Sequence, residues 1–189
     1  MTDRHLIEEI QHVSLSMFRK NFFGVYHGSI SARIDAGSFL INTKEAIFDE
    51  ITEASLIRLE TDNADYRRNI ASMDAPIHEE IYQHIPHAKY IAYTMPPYVT
   101  AYALSHDVFV PMDYFGDKIL GEVKVYDPQH FSDWYDRAPH AIAEYFRTHA
   151  GHVMLVKGYG VFAYDRDLTD MAKKIAIMEN SARLLMLNT

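Results

Sequence analysis

Ser29-Ile30-Ser31-Ala32-Arg33, then Asp35-Ala36-Gly37, then Ser38-Phe39-Leu40-Ile41, is the stretch on which the fold turns. Two short β-type runs flank a glycine that can supply a tight turn, so the segment reads as a hairpin. Upstream, Leu6, Ile7, Ile10, Val13, Ser14, Met17 and Phe18 recur at three- and four-residue spacing. That period predicts an amphipathic helix over the first twenty residues, ending before Gly24.

Downstream, a third strand is expected at Leu56 to Leu59, followed by an exposed polar connection from Glu60 to Arg68. Ile77, Ile81 and Ile85 sit four apart behind Asp74, which predicts a helix from Asp74 to Ile85 with Asp74 as its N-cap. Tyr90 to Tyr93 reads as a buried strand, Pro97 to Ser105 as a helix opened by proline, and Val123 to Tyr126 as a strand. A surface loop is expected from Asp127 to Trp134 and a helix from about Arg137 to His149. Val153 to Val156 and Val161 to Tyr164 flank Lys157-Gly158-Tyr159-Gly160 as strand, turn and strand. Asp167 and Asp170 open a final helix carried by Met171, Ile175, Met178, Ala182, Leu185 and Met186. The expected architecture is α/β, three layers, with a mainly antiparallel central sheet flanked by helices.

The length of 189 residues fits one domain spanning 1–189. With 18 Lys and Arg against 26 Asp and Glu, the formal charge of −8 repels polyanions, so nucleic acid is not an expected partner. No apolar run approaches the roughly 18 residues that span a bilayer. The start, Met1, Thr2, Asp3, Arg4 and His5, leads into an amphipathic segment, which argues against export. The absence of cysteine removes disulfides and thiolate sites and is compatible with the cytoplasm, the default location.

Generic catalytic motifs fail one after another. His78-Glu79-Glu80-Ile81-Tyr82 begins like the zinc-protease helix, but Tyr82 stands where a second histidine is needed. No two of the 11 histidines are two or four apart, and zinc needs three converging protein ligands. Gly158-Tyr159-Gly160 lacks the third glycine of a dinucleotide fingerprint, and the serines lie outside any nucleophile-elbow context.

Taken in order, Gly28 to Arg33, Phe39-Leu40-Ile41, His78 to Tyr82, Pro96-Pro97-Tyr98 and the Gly158-Tyr159-Gly160 turn before the last helix resemble the class II aldolase/adducin family. The resemblance covers nearly the whole chain. It implies cleavage or epimerisation of sugar phosphates, in fourfold tetramers with sites between subunits. It also implies three zinc-binding histidines, and the corresponding positions here are Tyr93, Met95 and Tyr159. With all three replaced, neither a metal nor another cofactor is expected at that site. The family's acid/base glutamate corresponds to Asp74, whose carboxylate is shorter by one methylene, about 1.5 Å. The family's phosphate-binding elements correspond to Gly28-Ser29, Asn42-Thr43-Lys44-Glu45 and Ser72-Met73. Ser29, Ser31, Asn42, Lys44, Ser72 and Met95 are the expected substrate-binding set, and Glu45 and Met73 speak against a phosphate.

A zinc Lewis acid supplies several kcal/mol to such a reaction. Without its ligands, one reading is metal-free lyase or enolisation chemistry, with Asp74 as base and Tyr93 and Tyr159 as oxyanion donors. Another is a non-catalytic oligomer or ligand-binding domain of the adducin-head type, because tyrosines also fill the volume of a lost metal site. A ferric tyrosinate is a third reading, disfavoured by the soft thioether of Met95. Tyr114-Phe115 and Phe131 to Tyr135 are expected to be exposed and compatible with subunit contacts.

Overall fold

The computed structural model describes residues 3–61 and 63–188; the Met1-Thr2 part of the reading above, and Asp62 in the polar connection, lie outside them. In chain order the elements are α1 (Asp3–Arg19), β1 (Ser29–Asp35), β2 (Ser38–Asn42), β3 (Leu56–Glu60), α2 (Ala75–His84), β4 (Tyr90–Thr94) and α3 (Pro97–Ser105). There follow β5 (Val108–Phe109), α4 (Tyr114–Ile119), β6 (Val123–Tyr126), α5 (Trp134–Thr148), β7 (Val153–Val156), β8 (Gly160–Asp165) and α6 (Leu168–Leu187).

The strands form an 8-stranded sheet in the order β3-β2-β1-β4-β8-β7-β6-β5. Only β6 and β7 run parallel among its named pairs, so the sheet is mixed but mainly antiparallel, as expected. The period of two along each strand divides the core into two layers. Ile30, Ala32, Leu40 and Ala92 join Ile10, Met17, Met171, Ile175 and Met178 beneath α1 and α6. Phe39, Ile41, Ile91, Met154 and Phe162 join Ile77, Ile81, Ala138 and Ile142 beneath α2 and α5. Helices therefore cover both faces, which is the expected three-layer architecture.

Several boundaries differ from the sequence reading for identifiable reasons. Asp74 sits at the N-cap position of α2, but its side chain makes no capping hydrogen bond and turns elsewhere. Helix α5 starts at Trp134 rather than near Arg137, because Trp134, Ala138 and Ile142 continue the buried stripe backward at a spacing of four. Trp134 is consequently buried, while Phe131 and Tyr135 on either side stay exposed, as do Tyr114 and Phe115. The short β5 and α4 carry too few residues to show a period, and the sequence reading passed over both. Asp167 does cap α6, accepting from the Asp170 N–H at 2.9 Å.

Two devices fix the site-bearing ends of the sheet. Glu179 on α6 accepts the N–H groups of Tyr98 (3.0 Å) and Val99 (2.9 Å), which pins the start of α3. Gly160 opens β8 at φ +133°, where a Cβ would drive into the Thr94 carbonyl oxygen. Gly151 has φ +109° with nothing within 4 Å of such a Cβ. Gly151→Ala is therefore expected to cost only backbone strain, on the order of 1–3 kcal/mol. Gly160→Ala should add the clash and cost at least about 1 kcal/mol more. Urea denaturation of the two variants measures the difference, and equal losses would mean that the start of β8 moves aside freely.

Candidate active site

The path of the chain after β2 brings the site together. The Ser72 N–H donates to the Asn42 carbonyl at 2.9 Å and the Lys44 N–H to the Ile70 carbonyl at 3.0 Å, stitching residues 70–74 to the end of β2. Asn42 holds its own position, with Oδ1 accepting from the Ile30 N–H (2.8 Å) and Nδ2 donating to the Thr43 carbonyl (3.1 Å). Helix α2 then starts with Pro76 in its first turn, where the missing N–H costs nothing. Asp74 arrives at the edge of a cavity of about 300 Å³.

Of the residues expected at the site, Asp74, Tyr93, Tyr159, Asn42, Lys44 and Ser72 all line this cavity. Ser29, Ser31 and Met95 are not among its lining residues. Ser29 and Ser31 lie fully buried on the face of β1 toward α2, where their hydroxyls meet His78. Met95 is half-buried beside the strand end. Sequence reasoning missed His27 and Tyr135, which also line the cavity, and the central place of His78. His78 at least carried a signal, since it stands four residues after Asp74 and so on the same helix face. Nothing in the pattern distinguished His27 or Tyr135.

The aromatic side chains form one packed group. Tyr93 stacks on Tyr159 with ring centroids 4.6 Å apart and on Phe162 at 4.8 Å. Trp134 and Tyr135 meet Tyr159 edge-on at 5.8 and 6.2 Å. The two phenols are not equivalent. Tyr93 Oη donates to the Tyr159 carbonyl at 2.7 Å, so its proton is already committed. Tyr159 Oη is buried without a hydrogen-bond partner in the chain, as is Asp74 Oδ1. Burial, and after it the nearby Asp74 carboxylate, raises the pKa of both tyrosines, so both are neutral hydroxyl groups at ordinary pH.

Burial likewise pushes the Asp74 carboxyl up to about 6, with the Ser29 and Tyr159 hydroxyls partly offsetting it. A buried carboxyl with an unmet oxygen, beside a cavity and an unmet hydroxyl, is a group held ready for a proton. Burial lowers His27 as well.

The family's metal does not fit this donor set. The cavity brings Asp74 and His27 together with Asn, Lys, Ser and Tyr side chains. Among the described residues no group of three or more His, Cys, Asp or Glu side chains converges. Zinc sites require three or four converging N, S or O ligands, and Tyr93, which the resemblance set at a ligand position, donates to a carbonyl.

The chain belongs to the class II aldolase and adducin N-terminal domain family, whose pattern matches residues 8–186. It is similar in fold to the crystal structure of L-fuculose-1-phosphate aldolase from Thermus thermophilus, at 23% identity and a TM-score of 0.86, over 97% of this chain and 93% of that one. It is also similar to YgbL from Escherichia coli, a putative aldolase/epimerase/decarboxylase, at 18% identity and a TM-score of 0.83, over 98% and 90% of the two chains. A sugar-phosphate aldolase from Thermotoga maritima follows the same fold at 16% identity and a TM-score of 0.72, over 97% and 94%. Comparison with curated protein sequences gives no match.

The raised pKa of Asp74 carries a definite sign. The fold favours its neutral form, so this contribution to stability is complete below the ordinary value of 3.8 and is lost as pH rises through about 6. Asp74→Asn removes the penalty of a buried charge. At pH 8 the variant should be more stable than the parent by on the order of 2–3 kcal/mol, shrinking toward zero near pH 4. His78 acts in the opposite direction, since burial lowers it from 6.5 to about 3 and its contribution is lost as pH falls between those values. Stability should therefore fall on the acid side in both proteins. Chemical denaturation across this range is the measurement, and identical stabilities at pH 8 would place Asp74 in water.

Proposed function

We propose that this chain catalyses metal-free proton-transfer chemistry on a small hydroxy-carbonyl compound or sugar phosphate, as an enolising enzyme or a slow lyase. The observation that carries this reading is that Asp74 Oδ1 and Tyr159 Oη lie at one cavity, both buried and neither in a hydrogen bond of normal geometry, with the Tyr159 hydroxyl near enough to the carboxyl to lower its pKa. Asp74 as carboxylate takes the proton from carbon next to the carbonyl, and the electrons pass to the carbonyl oxygen. The buried Tyr159 hydroxyl donates to that oxygen as its charge grows. Return of the proton to the other carbon or face gives an isomer. For cleavage Asp74 takes instead the proton of the hydroxyl two carbons from the carbonyl: that carbon leaves as an aldehyde, the electrons of the broken carbon–carbon bond pass to the carbonyl oxygen as an enolate, and the proton returns to the enolate carbon. Lys44, Asn42 and Ser72 are the groups we assign to the substrate's polar end, Lys44 being exposed and the others on the cavity wall. Tyr93 acts in this reading by holding the Tyr159 backbone.

Deuterium uptake from solvent into dihydroxyacetone and dihydroxyacetone phosphate tests the reaction without knowledge of the physiological substrate. Tyr159→Phe should slow exchange by about 10²–10³-fold and Asp74→Asn by about 10²–10⁴-fold. Tyr93→Phe should act mainly on stability. Zinc added to dialysed protein should leave exchange and melting temperature unchanged. Strong stabilisation by zinc would overturn the metal-free mechanism.

A non-catalytic ligand-binding role of the adducin-head type is the second reading, favoured by the commitment of the Tyr93 hydroxyl to a carbonyl. Binding that raises the melting temperature without any deuterium uptake would favour it. We further propose one domain acting in the cytoplasm as a homotetramer. Val25, Tyr26 and Met73 support the assembly, being exposed although they line the cavity, so that a second subunit there would close it. Among the described residues no helix is long and apolar enough to cross a membrane. Sedimentation equilibrium should return four chains, and Tyr26→Asp should lower that number. A monomer would leave the cavity open and sink the assembly.

A further inference from the structure

Behind the cavity wall, side chains of α2 and β1 form a buried chain of hydrogen bonds from Ser29 through His78 and Ser31 to Tyr82, and Asp74 lies beside its Ser29 end. His78 is fully buried, with Nε2 at 2.9 Å from Ser29 Oγ and Nδ1 at 2.6 Å from Ser31 Oγ. Ser31 Oγ continues to Tyr82 Oη at 2.7 Å, and Tyr82 Oη reaches the Lys89 carbonyl at 3.3 Å. At the other end the Ser29 hydroxyl faces Asp74. The titratable groups around Asp74 are Tyr93 from β4, Tyr135 from α5, Tyr159 from the turn before β8, and His27 and Lys44 on the cavity lining. At the far end the Arg33 guanidinium lies over the Tyr82 ring, 4.7 Å from its centroid. Both ring nitrogens of His78 are thus occupied by neutral hydroxyls.

Burial keeps His78 uncharged, its pKa lowered to about 3. A neutral imidazole has one N–H and one lone pair, and so must treat its two serines differently. With the proton on Nε2, the ring donates to Ser29, and the Ser29 hydroxyl is free to donate to the Asp74 carboxylate. Ser31 then donates to Nδ1 and accepts from Tyr82. With the proton on Nδ1, the ring donates to Ser31, Ser31 donates to Tyr82, and Tyr82 donates to the Lys89 carbonyl. Nε2 now accepts from Ser29, which presents a lone pair to Asp74 and so matches a carboxylic acid. In both arrangements Tyr82, Ser31, His78 and Ser29 carry one exchangeable proton each. The two states therefore differ in composition only by the proton on Asp74.

We propose that His78 is a positioning residue whose neutral tautomer is coupled through Ser29 to the charge of Asp74, with Nε2–H beside the carboxylate and Nδ1–H beside the acid. The coupling rests on the acid–base role proposed for Asp74. It offers that residue a matching Ser29 hydroxyl both before and after it takes a proton.

Nitrogen NMR of the full chain carrying ¹⁵N-histidine reads the tautomer directly, because pyridine-like and pyrrole-like nitrogens are distinct. His78→Asn assigns the signals, and the ¹³Cγ shift of Asp74, assigned with Asp74→Asn, follows the carboxyl. Between about pH 4.5 and 8, around the Asp74 midpoint, the pyrrole-like signal of His78 should pass from Nε2 to Nδ1 on acidification, with the same midpoint as the carboxyl. Ser29→Ala, if folded, should abolish that exchange while Asp74 still titrates, at a higher pH. A fixed His78 tautomer while Asp74 titrates overturns the coupling and leaves the acid–base reading standing. Two pyrrole-like nitrogens above about pH 5 mean that His78 itself takes the proton, which also overturns it. An Asp74 that stays ionised throughout removes the coupling and the acid–base reading together.

Discussion

Three polar side chains in an otherwise apolar layer set the constraint on which the site depends. Ser29 and Ser31 point from β1 into the space beneath α2, where Phe39, Ile41, Ile77, Ile81 and Ile91 exclude water. Each hydroxyl left without a partner there would cost about 1–3 kcal/mol. His78 meets both at once, one ring nitrogen to each, and it does so only when α2 lies in a single register against β1. Asp74 stands four residues earlier, one helical turn away on the same face, so the fit that satisfies His78 also delivers the carboxylate to the cavity. The Asp74 position is thus bound to the packing of the sheet, and its failure to cap α2 is part of the same geometry.

The aromatic group on the opposite wall gives the carboxylate its character. Where the family resemblance implies metal ligands, the Tyr93 hydroxyl instead ties β4 to the turn before β8. The rings of Tyr93, Tyr159 and Phe162 stack into a continuous dry surface. A cation there would have lowered the pKa of a neighbouring carboxyl; burial raises it instead, and the neutral Ser29 and Tyr159 hydroxyls offset only part of that rise. Burial places the Asp74 carboxyl at about 6, within reach of both protonation states at physiological pH.

Much of the fold was legible because it rests on local pattern. The hairpin around Asp35-Ala36-Gly37, the proline-led α3 with its observed bounds Pro97–Ser105, and the Asp167 cap all follow from turn chemistry and periodicity. Legibility stopped where the decisive contacts are distant in sequence. Ser29 and Ser31 were read as substrate groups, yet they lie beneath a helix 49 and 47 residues away, and no period relates them to His78. His27 and Tyr135 reach the cavity from segments more than a hundred residues apart, and each alone looks like a surface side chain. Tyr93 and Tyr159 were read as equal donors. Only the geometry separates the phenol bonded to a carbonyl from the phenol left free.

The two sides of the cavity then do different work. Asp74 and Tyr93 are buried and Tyr159 is half-buried, whereas Lys44 and Tyr26 are exposed, the latter at 99%. A carboxyl whose pKa is raised by desolvation keeps that rise only while water is held off its oxygens. Anything that covers the exposed side, whether substrate or a neighbouring subunit, deepens the desolvation and favours the acid over the carboxylate. Proton uptake by Asp74 and closure of the cavity consequently reinforce each other by linkage. A site built this way admits substrate to the carboxylate and, once covered, favours the acid that the first proton transfer produces.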